Sequence, residues 1–213
     1  MIRDLLSRLR RTRPRAELAI QPIGRDPFLR LYLIDPDSSR GALTREEQRE
    51  VMETPPYWVF CWPAGQVLAH RLLGRRSEVR GRRVLDFGSG SGVVAIAAAL
   101  AGAAEVVACD LDPDARAAIR ANAALNGVDV EVAGELSGRF DLVTVADVLY
   151  DDENRPWLPR LLELAPRVLV ADSRQRNLGA GPYRKLEEVE ARAVPDLDLH
   201  DEFNRIAVYE GRR

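Results

Sequence analysis

From residue 83 onward, short apolar runs alternate with longer stretches of helical composition, the first of which is rich in alanine. The apolar runs predict buried parallel strands, because helices cover both faces of such a sheet. We predict strands at 83–87, 105–109, 128–132, 140–146 and 167–171, with helices at 91–101, 113–126 and 153–164 between them. This alternation predicts an α/β fold with a doubly wound, mostly parallel sheet.

The C-terminal part is predicted to complete this sheet. We expect a helix near 182–190, followed by a final pair of strands around 191–197 and 203–209. The short connection between His200 and Phe203 favours a terminal antiparallel hairpin, which brings the sheet to seven strands.

Residues 1–54 are predicted to form an N-terminal extension, and residues 55–213 the main domain. Ile2, Leu5, Leu6 and Leu9 recur at helical spacing among six arginines, which predicts a short amphipathic helix. We interpret it mainly as a solvated accessory helix, with a transit peptide or a partner-binding element as alternatives. A strand at 29–34 follows.

Two further helices are predicted before the sheet. Thr44 and Glu47 have the spacing of a capping box that starts a helix ending near Met52. Pro63 suits the first turn of a helix over about 64–73.

Composition narrows the classes of function. The net charge of −2 over 213 residues gives no general nucleic-acid footprint, and no segment is long and apolar enough to predict a membrane span. Cys61 and Cys109 are isolated in apolar contexts, which favours reduced thiols in a cytoplasmic protein. We interpret His70 and His200 as structural residues and propose no metal site.

The candidate chemistry starts at residues 86–92, which read Asp-Phe-Gly-Ser-Gly-Ser-Gly between a predicted strand and a predicted helix. Glycines in such a loop let the backbone approach a ligand, and the helix N-terminus offers N–H groups. The third glycine of a dinucleotide fingerprint would fall at Val93 or Ala95, so the spacing does not decide between cofactors. A carboxylate before the loop suits the ammonium group of an amino acid and repels a pyrophosphate.

This Asp-x-Gly-x-Gly-x-Gly pattern resembles the first motif of the class I, seven-strand S-adenosylmethionine-dependent methyltransferases. The resemblance implies that S-adenosylmethionine is the cofactor, and that Asp86 approaches its methionine amino group directly or through water. The cofactor-binding residues that we predict are Trp62, Asp86, Gly88, Ser89, Gly90, Gly92, Asp110, Leu111, Glu135 and Ala146.

Outside the glycine loop, each of these predictions has its own reason. Asp110 ends the second strand, where a carboxylate accepts both ribose hydroxyls, while Asp112 is the better cap for the next helix. Glu135 and Leu111 are expected beside the adenine. Trp62 offers a π-face that attracts a cation, either the cofactor or a target amine.

The end of the fourth strand carries Asp147 and Tyr150, which we predict to be the catalytic residues. The sequence has no Asn-Pro-Pro-Tyr or Asp-Pro-Pro-Tyr here, which argues against adenine or glutamine-amide substrates. Asp-x-x-Tyr instead resembles the motif of the seven-strand protein-lysine methyltransferases. With Tyr-Trp-x-x-x-Trp-Pro-Ala-Gly-Gln at 57–66 and Val-Leu-Val-Ala-Asp at 168–172, the match is to the electron-transfer flavoprotein β-subunit lysine methyltransferase family, over roughly residues 55–175.

The resemblance implies a protein-lysine N-methyltransferase that has the electron-transfer flavoprotein β subunit as its candidate partner. A lysine amine with a pKa of about 10.4 is neutral only about once in 2,500 at pH 7, a deficit of about 4.6 kcal/mol. A carboxylate favours the ammonium form, so we expect Asp147 to orient the amine rather than to act as a strong base. Trp62 and Tyr150 are expected to desolvate the incoming amine.

Three alternatives remain open. The first is a class I methyltransferase of a small-molecule amine or pyridine nitrogen, which an enclosed pocket would favour. The second is a non-catalytic cofactor-binding or interaction protein. The third is a nucleotide-dependent dehydrogenase, against which the position of Asp86 argues.

Overall fold

The structure is a computed structural model that describes residues 2–24, 29–38, 44–149, 152–175, 177–178, 181–196 and 204–213. The chain begins with helix α1, strands β1 and β2, and helices α2 and α3. Their bounds are Ile2–Thr12, Leu18–Ile23, Leu29–Ile34, Arg45–Glu53 and Pro63–Gly74. Strands β1 and β2 form a separate antiparallel hairpin.

The remaining elements build a seven-stranded sheet with the strand order β5-β4-β3-β6-β7-β9-β8. Its strands are β3 Arg83–Phe87, β4 Glu105–Cys109, β5 Glu131–Ala133, β6 Leu142–Ala146, β7 Arg167–Asp172, β8 Tyr183–Glu190 and β9 Arg205–Arg212. Its helices are α4 Val93–Leu100, α5 Pro113–Leu125 and α6 Trp157–Leu164. Strands β3 to β7 pair in parallel, whereas β9 is antiparallel to both β7 and β8. The predicted seven-strand, doubly wound fold with a terminal antiparallel hairpin is confirmed.

Neighbouring residues of β3 face the two opposite layers of the core. Val84 packs with apolar side chains of α3, α4 and β2, whereas Leu85 packs with those of α6. This alternation follows from the two-residue period of a strand, and it explains why the central strands are apolar on both faces.

The predicted helix near 182–190 is wrong, because these residues form strand β8. Lysine, leucine and glutamate favour a helix locally, but backbone pairing with β9 overrides that preference. Tyr183 fixes the start of the strand, since its buried hydroxyl donates to the backbone oxygen of Leu158 at 2.7 Å. The hairpin therefore joins β8 to β9, and residues 191–196 contain one isolated bridge, between Cys61 and Val194, instead of the predicted strand. His200 and Phe203 lie outside the described residues.

The predicted amphipathic helix α1 is confirmed, and most of its residues are exposed or half-buried, while its apolar face packs on the domain. Leu5 and Leu9 are fully buried and belong to one apolar cluster with alanines of α5. The Arg8 guanidinium binds the Asp114 carboxylate at 2.7 Å, and Arg11 binds the same carboxylate. The arginines thus join α1 to the domain as well as facing solvent.

Local signals placed the other early elements well. The capping box of Thr44 and Glu47 is present, and Pro63 is the first residue of α3. The strand predicted at 128–132 is shorter and later, at Glu131–Ala133, and the helix predicted at 153–164 begins at Trp157 after a 3-10 turn. Among the described residues, no helix has the length and apolar character to cross a bilayer.

Candidate functional site

The glycine loop connects β3 to α4 and has a backbone that only glycine adopts easily. Gly88, Gly90 and Gly92 have φ values of 68°, 54° and 82°. A Cβ on Gly88 would lie 2.6 Å from Cγ2 of Val148, so the Val148 side chain leaves no room for a side chain at position 88. A Cβ on Gly90 would meet nothing within 4 Å, which shows that the middle of the loop faces open space.

Asp86 is buried at the end of β3 and organises the loop. One carboxylate oxygen accepts hydrogen bonds from the Ser89 hydroxyl and from the backbone N–H of Ala95, at 3.2 Å for the latter. The other oxygen accepts from the Thr144 hydroxyl on β6 at 2.9 Å. Burial raises the pKa of Asp86 to about 6, because desolvation outweighs these hydrogen bonds.

Asp110 lies at the end of β4 and is joined directly to the loop. Its carboxylate accepts from the backbone N–H of Gly90 at 2.8 Å and from that of Asp112 at 2.9 Å. Burial raises its pKa. Asp112 caps α5 by accepting from the N–H of Asp114, as predicted, so Asp110 is not needed for that task.

Leu111 and Glu135 flank this region from two loops. The Leu111 side chain is 86% exposed, an unusual state for leucine. Glu135 is exposed directly after β5. Neither contacts the loop in the way that Asp110 does, and their predicted place beside an adenine stays a prediction.

A small open cavity lies between the glycine loop, α3 and the end of β6. Its lining includes the predicted residues Trp62, Asp86, Gly88, Ser89, Gly90 and Ala146, together with Gly65, Ser91, Val93 and Val94. Gly92, Asp110, Leu111 and Glu135 are not among the lining residues.

Trp62 belongs to an aromatic cluster at the start of α3. Its ring makes edge contacts with Tyr57 and Phe60, with centroid distances of 6.0 and 5.5 Å. Its indole N–H donates to the backbone oxygen of Tyr57 at 3.0 Å. The ring orientation is therefore fixed by the protein, while part of its surface stays open to solvent.

Asp147 follows β6 in a left-handed conformation, with a φ of 50°. Its two carboxylate oxygens accept from the backbone N–H groups of Ala64 at 3.0 Å and Ser173 at 2.9 Å. Burial and the nearby charge of Asp172 raise the pKa of Asp147 to about 6. The Ser173 side chain also donates to this carboxylate. A carboxylate has about four acceptor positions, so Asp147 can still accept from a further donor.

Tyr150, the second predicted catalytic residue, lies outside the described residues. Among those that are described, no group of three or more histidine, cysteine or acidic side chains could hold a metal ion. Cys61 and Cys109 are both free and buried.

Sequence reasoning missed three polar side chains that support the site. Thr144 orients Asp86, Asp172 accepts from the backbone N–H groups of Arg174 and Gln175, and Asn122 contacts the loop at Ser91. The only sign of such a residue in the sequence is a single polar position within an apolar strand or helix. That position does not show which group the side chain binds.

The donor set fits S-adenosylmethionine. The cavity is bordered by the Asp86 carboxylate, by a glycine loop with open space beside Gly90 and by the aromatic ring of Trp62. All three suit a cationic amino-acid ligand with a sulfonium group. Asp110 offers acceptors for hydroxyl groups at the neighbouring strand end.

Comparisons with known proteins agree with this geometry. The family model for ribosomal protein L11 methyltransferases matches residues 69–152. The chain is 37% identical over 176 residues to the electron transfer flavoprotein beta subunit lysine methyltransferase of Mus musculus, covering 69% of each protein. The Xenopus laevis protein of the same name is 35% identical over 189 residues, which cover 83% of this chain and 76% of the relative.

A solved structure supports the fold. Magnesium protoporphyrin IX methyltransferase from Synechocystis PCC 6803, with bound S-adenosylmethionine, aligns with a TM-score of 0.53 at 18% identity. The alignment covers 81% of this chain and 86% of that one. The seven-strand sheet is therefore shared with a protein that carries this cofactor.

Proposed function

This chain belongs to the family of the electron transfer flavoprotein beta subunit lysine methyltransferases, and on that basis we propose that it methylates a lysine side chain of a protein. The chain is a methyltransferase, and S-adenosylmethionine is its cofactor. The resemblance predicted from the glycine loop and the Asp-x-x-Tyr motif is confirmed. The electron transfer flavoprotein beta subunit is the acceptor that the names of the relatives support.

The observation that carries the proposal is the position of Asp147. It follows Ala146, which lines the cavity, and it accepts from Ala64, two residues after Trp62. Asp147 and Trp62 are both half-buried, and in this proposal a lysine side chain of another protein reaches them. A carboxylate and an aromatic face at one entrance form a site for an amine.

The cofactor would be held by the loop and the two strand-end acids. In this proposal Asp110 accepts from the ribose hydroxyls, and Leu111 covers the adenine, which accounts for a leucine exposed to 86%. Glu135 binds at the adenine edge, while Gly88, Ser89, Gly90 and Gly92 provide the close backbone approach. Asp86 orders the loop through Ser89 and Ala95 and faces the ammonium group of the ligand.

S-adenosylmethionine supplies an electrophilic methyl group on a sulfonium, so the protein has to align an uncharged amine with it. Asp147 orients the amine by accepting one N–H, and the pKa of about 6 leaves it a carboxylate at neutral pH. A carboxylate favours the ammonium form, so in this proposal Asp147 is not the base and the amine loses its proton to water. Trp62 and Tyr150 limit the solvation of the amine.

The net charge and the cysteines support two further parts of the proposal, which are the absence of a nucleic-acid partner and the compartment. The net charge of −2 argues against a general nucleic-acid surface. The two buried free thiols, Cys61 and Cys109, support a reducing compartment, and we propose the cytoplasm.

The test is incubation of the purified chain with methyl-tritiated S-adenosylmethionine and three acceptors. These are purified electron transfer flavoprotein, ribosomal protein L11 and a mixture of small amines and pyridines. L11 is included because its methyltransferase family model matches residues 69–152. We expect label on the flavoprotein beta subunit, at a lysine located by mass spectrometry.

Two other outcomes would change the proposal. Label on L11 alone would replace the acceptor but keep protein methylation. Label only in the small-molecule fraction would make the chain a small-molecule methyltransferase. The Gly127→Ala variant is changed at an exposed turn after α5, outside the cavity lining. It should label the same acceptor as the wild-type chain and serves as the positive control.

A further inference from the structure

Asn122 of α5 is completely buried and connects two parts of the molecule that are far apart in sequence. Its side-chain oxygen accepts from the backbone N–H of Tyr32 on β2 at 2.7 Å. Its side-chain nitrogen donates to the backbone oxygen of Ser91 in the glycine loop at 2.9 Å. One amide therefore joins the N-terminal hairpin to the cofactor loop.

The direction of this amide is determined by its partners. Tyr32 presents an N–H and Ser91 a carbonyl oxygen, so a flipped Asn122 would oppose donor to donor and acceptor to acceptor. Loss of the side chain would leave the buried backbone oxygen of Ser91 and the half-buried N–H of Tyr32 without these partners, which is costlier than the loss of an exposed hydrogen bond.

Ser91 lies where a small displacement affects the site. It lines the cavity between Gly90 and Gly92, both of which have a left-handed backbone. Gly92 rests on Ile119, since a Cβ on this glycine would come within 3.3 Å of the Ile119 side chain. Ile119 and Asn122 are one helical turn apart, so α5 supports two consecutive residues of the loop.

We propose that Asn122 is a positioning residue for the cofactor loop, and that β2 contributes to cofactor binding through it. The hairpin then takes part in the site without contacting the ligand. This inference rests on the cofactor and not on the identity of the methyl acceptor.

Asn126, the residue that caps the C-terminus of α5, provides a matched control. Its side chain accepts from the N–H of Arg30 at 3.0 Å and donates to the oxygen of Arg30 at 2.7 Å. It thus binds the same strand β2, four residues after Asn122, and its other side-chain bond is to the backbone oxygen of Asn122. An alanine at either position removes side-chain hydrogen bonds to β2, but only an alanine at Asn122 also removes the hydrogen bond to Ser91.

The experiment measures binding of S-adenosylhomocysteine to the full chain by calorimetry. We expect Asn122→Ala to weaken binding about tenfold, which corresponds to about 1.4 kcal/mol, and Asn126→Ala to change it less than about twofold. In turnover, the KM for S-adenosylmethionine should rise in Asn122→Ala while kcat at saturation is retained. Equal weakening in both variants, or wild-type affinity in Asn122→Ala, would overturn the proposal.

A measurement on the wild-type chain does not depend on how well a variant folds. Hydrogen exchange is followed with and without S-adenosylhomocysteine, and we expect the ligand to slow exchange in residues 29–34 as well as in the glycine loop. Protection of the loop with no change in β2 would contradict the coupling through Asn122.

Discussion

The carboxylate of Asp147 accepts a hydrogen bond from the backbone N–H of Ala64, at 3.0 Å. This contact joins the end of β6 to the start of α3, the two elements that carry the proposed amine site. The second carboxylate oxygen binds the N–H of Ser173, after β7. Three chain segments thus meet at one side chain, and their hydrogen bonds stabilise its left-handed backbone.

The first prediction concerns the pH dependence of methyl transfer at saturating S-adenosylmethionine. A lysine amine with a pKa of about 10.4 gives log(kcat/KM) a slope of about one between pH 6 and 9. Because the pKa of Asp147 is raised to about 6, its protonation should steepen the slope towards about two below pH 6.

The Asp147→Asn variant tests the source of that steepening. We expect a loss of about 100-fold in kcat, as is typical for a positioned polar group in catalysis, and a slope near one throughout. Binding of S-adenosylhomocysteine should be unchanged in this variant. Full turnover with the wild-type pH profile would rule out the orienting role.

The second prediction separates the effect of a left-handed glycine on folding stability from its effect on ligand binding. Gly90 and Gly127 have φ values of 54° and 65°, and a Cβ on either would meet nothing within 4 Å. Alanine at either position should cost about 1–2 kcal/mol of folding free energy, because the left-handed backbone is unfavourable for it. Only Gly90→Ala should abolish calorimetric binding of S-adenosylhomocysteine, since its methyl group enters the cavity.

The third prediction concerns the attachment of α1. Leu9→Ala should reduce the free energy of unfolding by about 2–5 kcal/mol, because it leaves a cavity in a fully buried position. Arg8→Ala should cost less than about 1 kcal/mol, as the ion pair to Asp114 is partly solvated. Urea unfolding measures both, and equal costs would contradict burial as the main contribution to the attachment of α1.

The fourth prediction uses the ion pairs around Glu210. A hydrogen bond from Arg212 and the contact with Arg167 lower the pKa of Glu210 to about 2. An acid with a lowered pKa stabilises the fold above its unfolded value of about 4.5 and loses that contribution as the pH falls towards 2. Glu210→Gln should therefore cost about 2 kcal/mol at pH 7 and progressively less at lower pH.

Glu105→Gln is the matched control for this effect. Glu105 pairs with Arg83 at 2.8 Å but is 45% exposed, so its loss should cost less than about 1 kcal/mol at any pH. Thermal unfolding between pH 3 and 7 compares the variants. A pH-independent difference between Glu210→Gln and wild type would contradict the ion-pair explanation.

The parallel core and its ligand loop could be predicted from the amino-acid sequence. The strands at 83–87 and 105–109 were predicted with their observed bounds, because apolar runs and glycine turns are local signals. The pattern of Asp86, Gly88, Gly90 and Gly92 indicated the cofactor class through its resemblance to the first motif of the class I methyltransferases and through the charge of Asp86 before the loop.

The places of the remaining elements depend on contacts that form only in the folded chain. Residues 183–190 have the composition of a helix but form a strand, because β9 offers an unpaired edge in the folded chain. The burial of Leu9 and the two bonds of Asn122 likewise depend on α5, which is distant in sequence. Hydrogen bonds and burial between remote segments leave no periodic pattern, and only the folded chain brings their partners together.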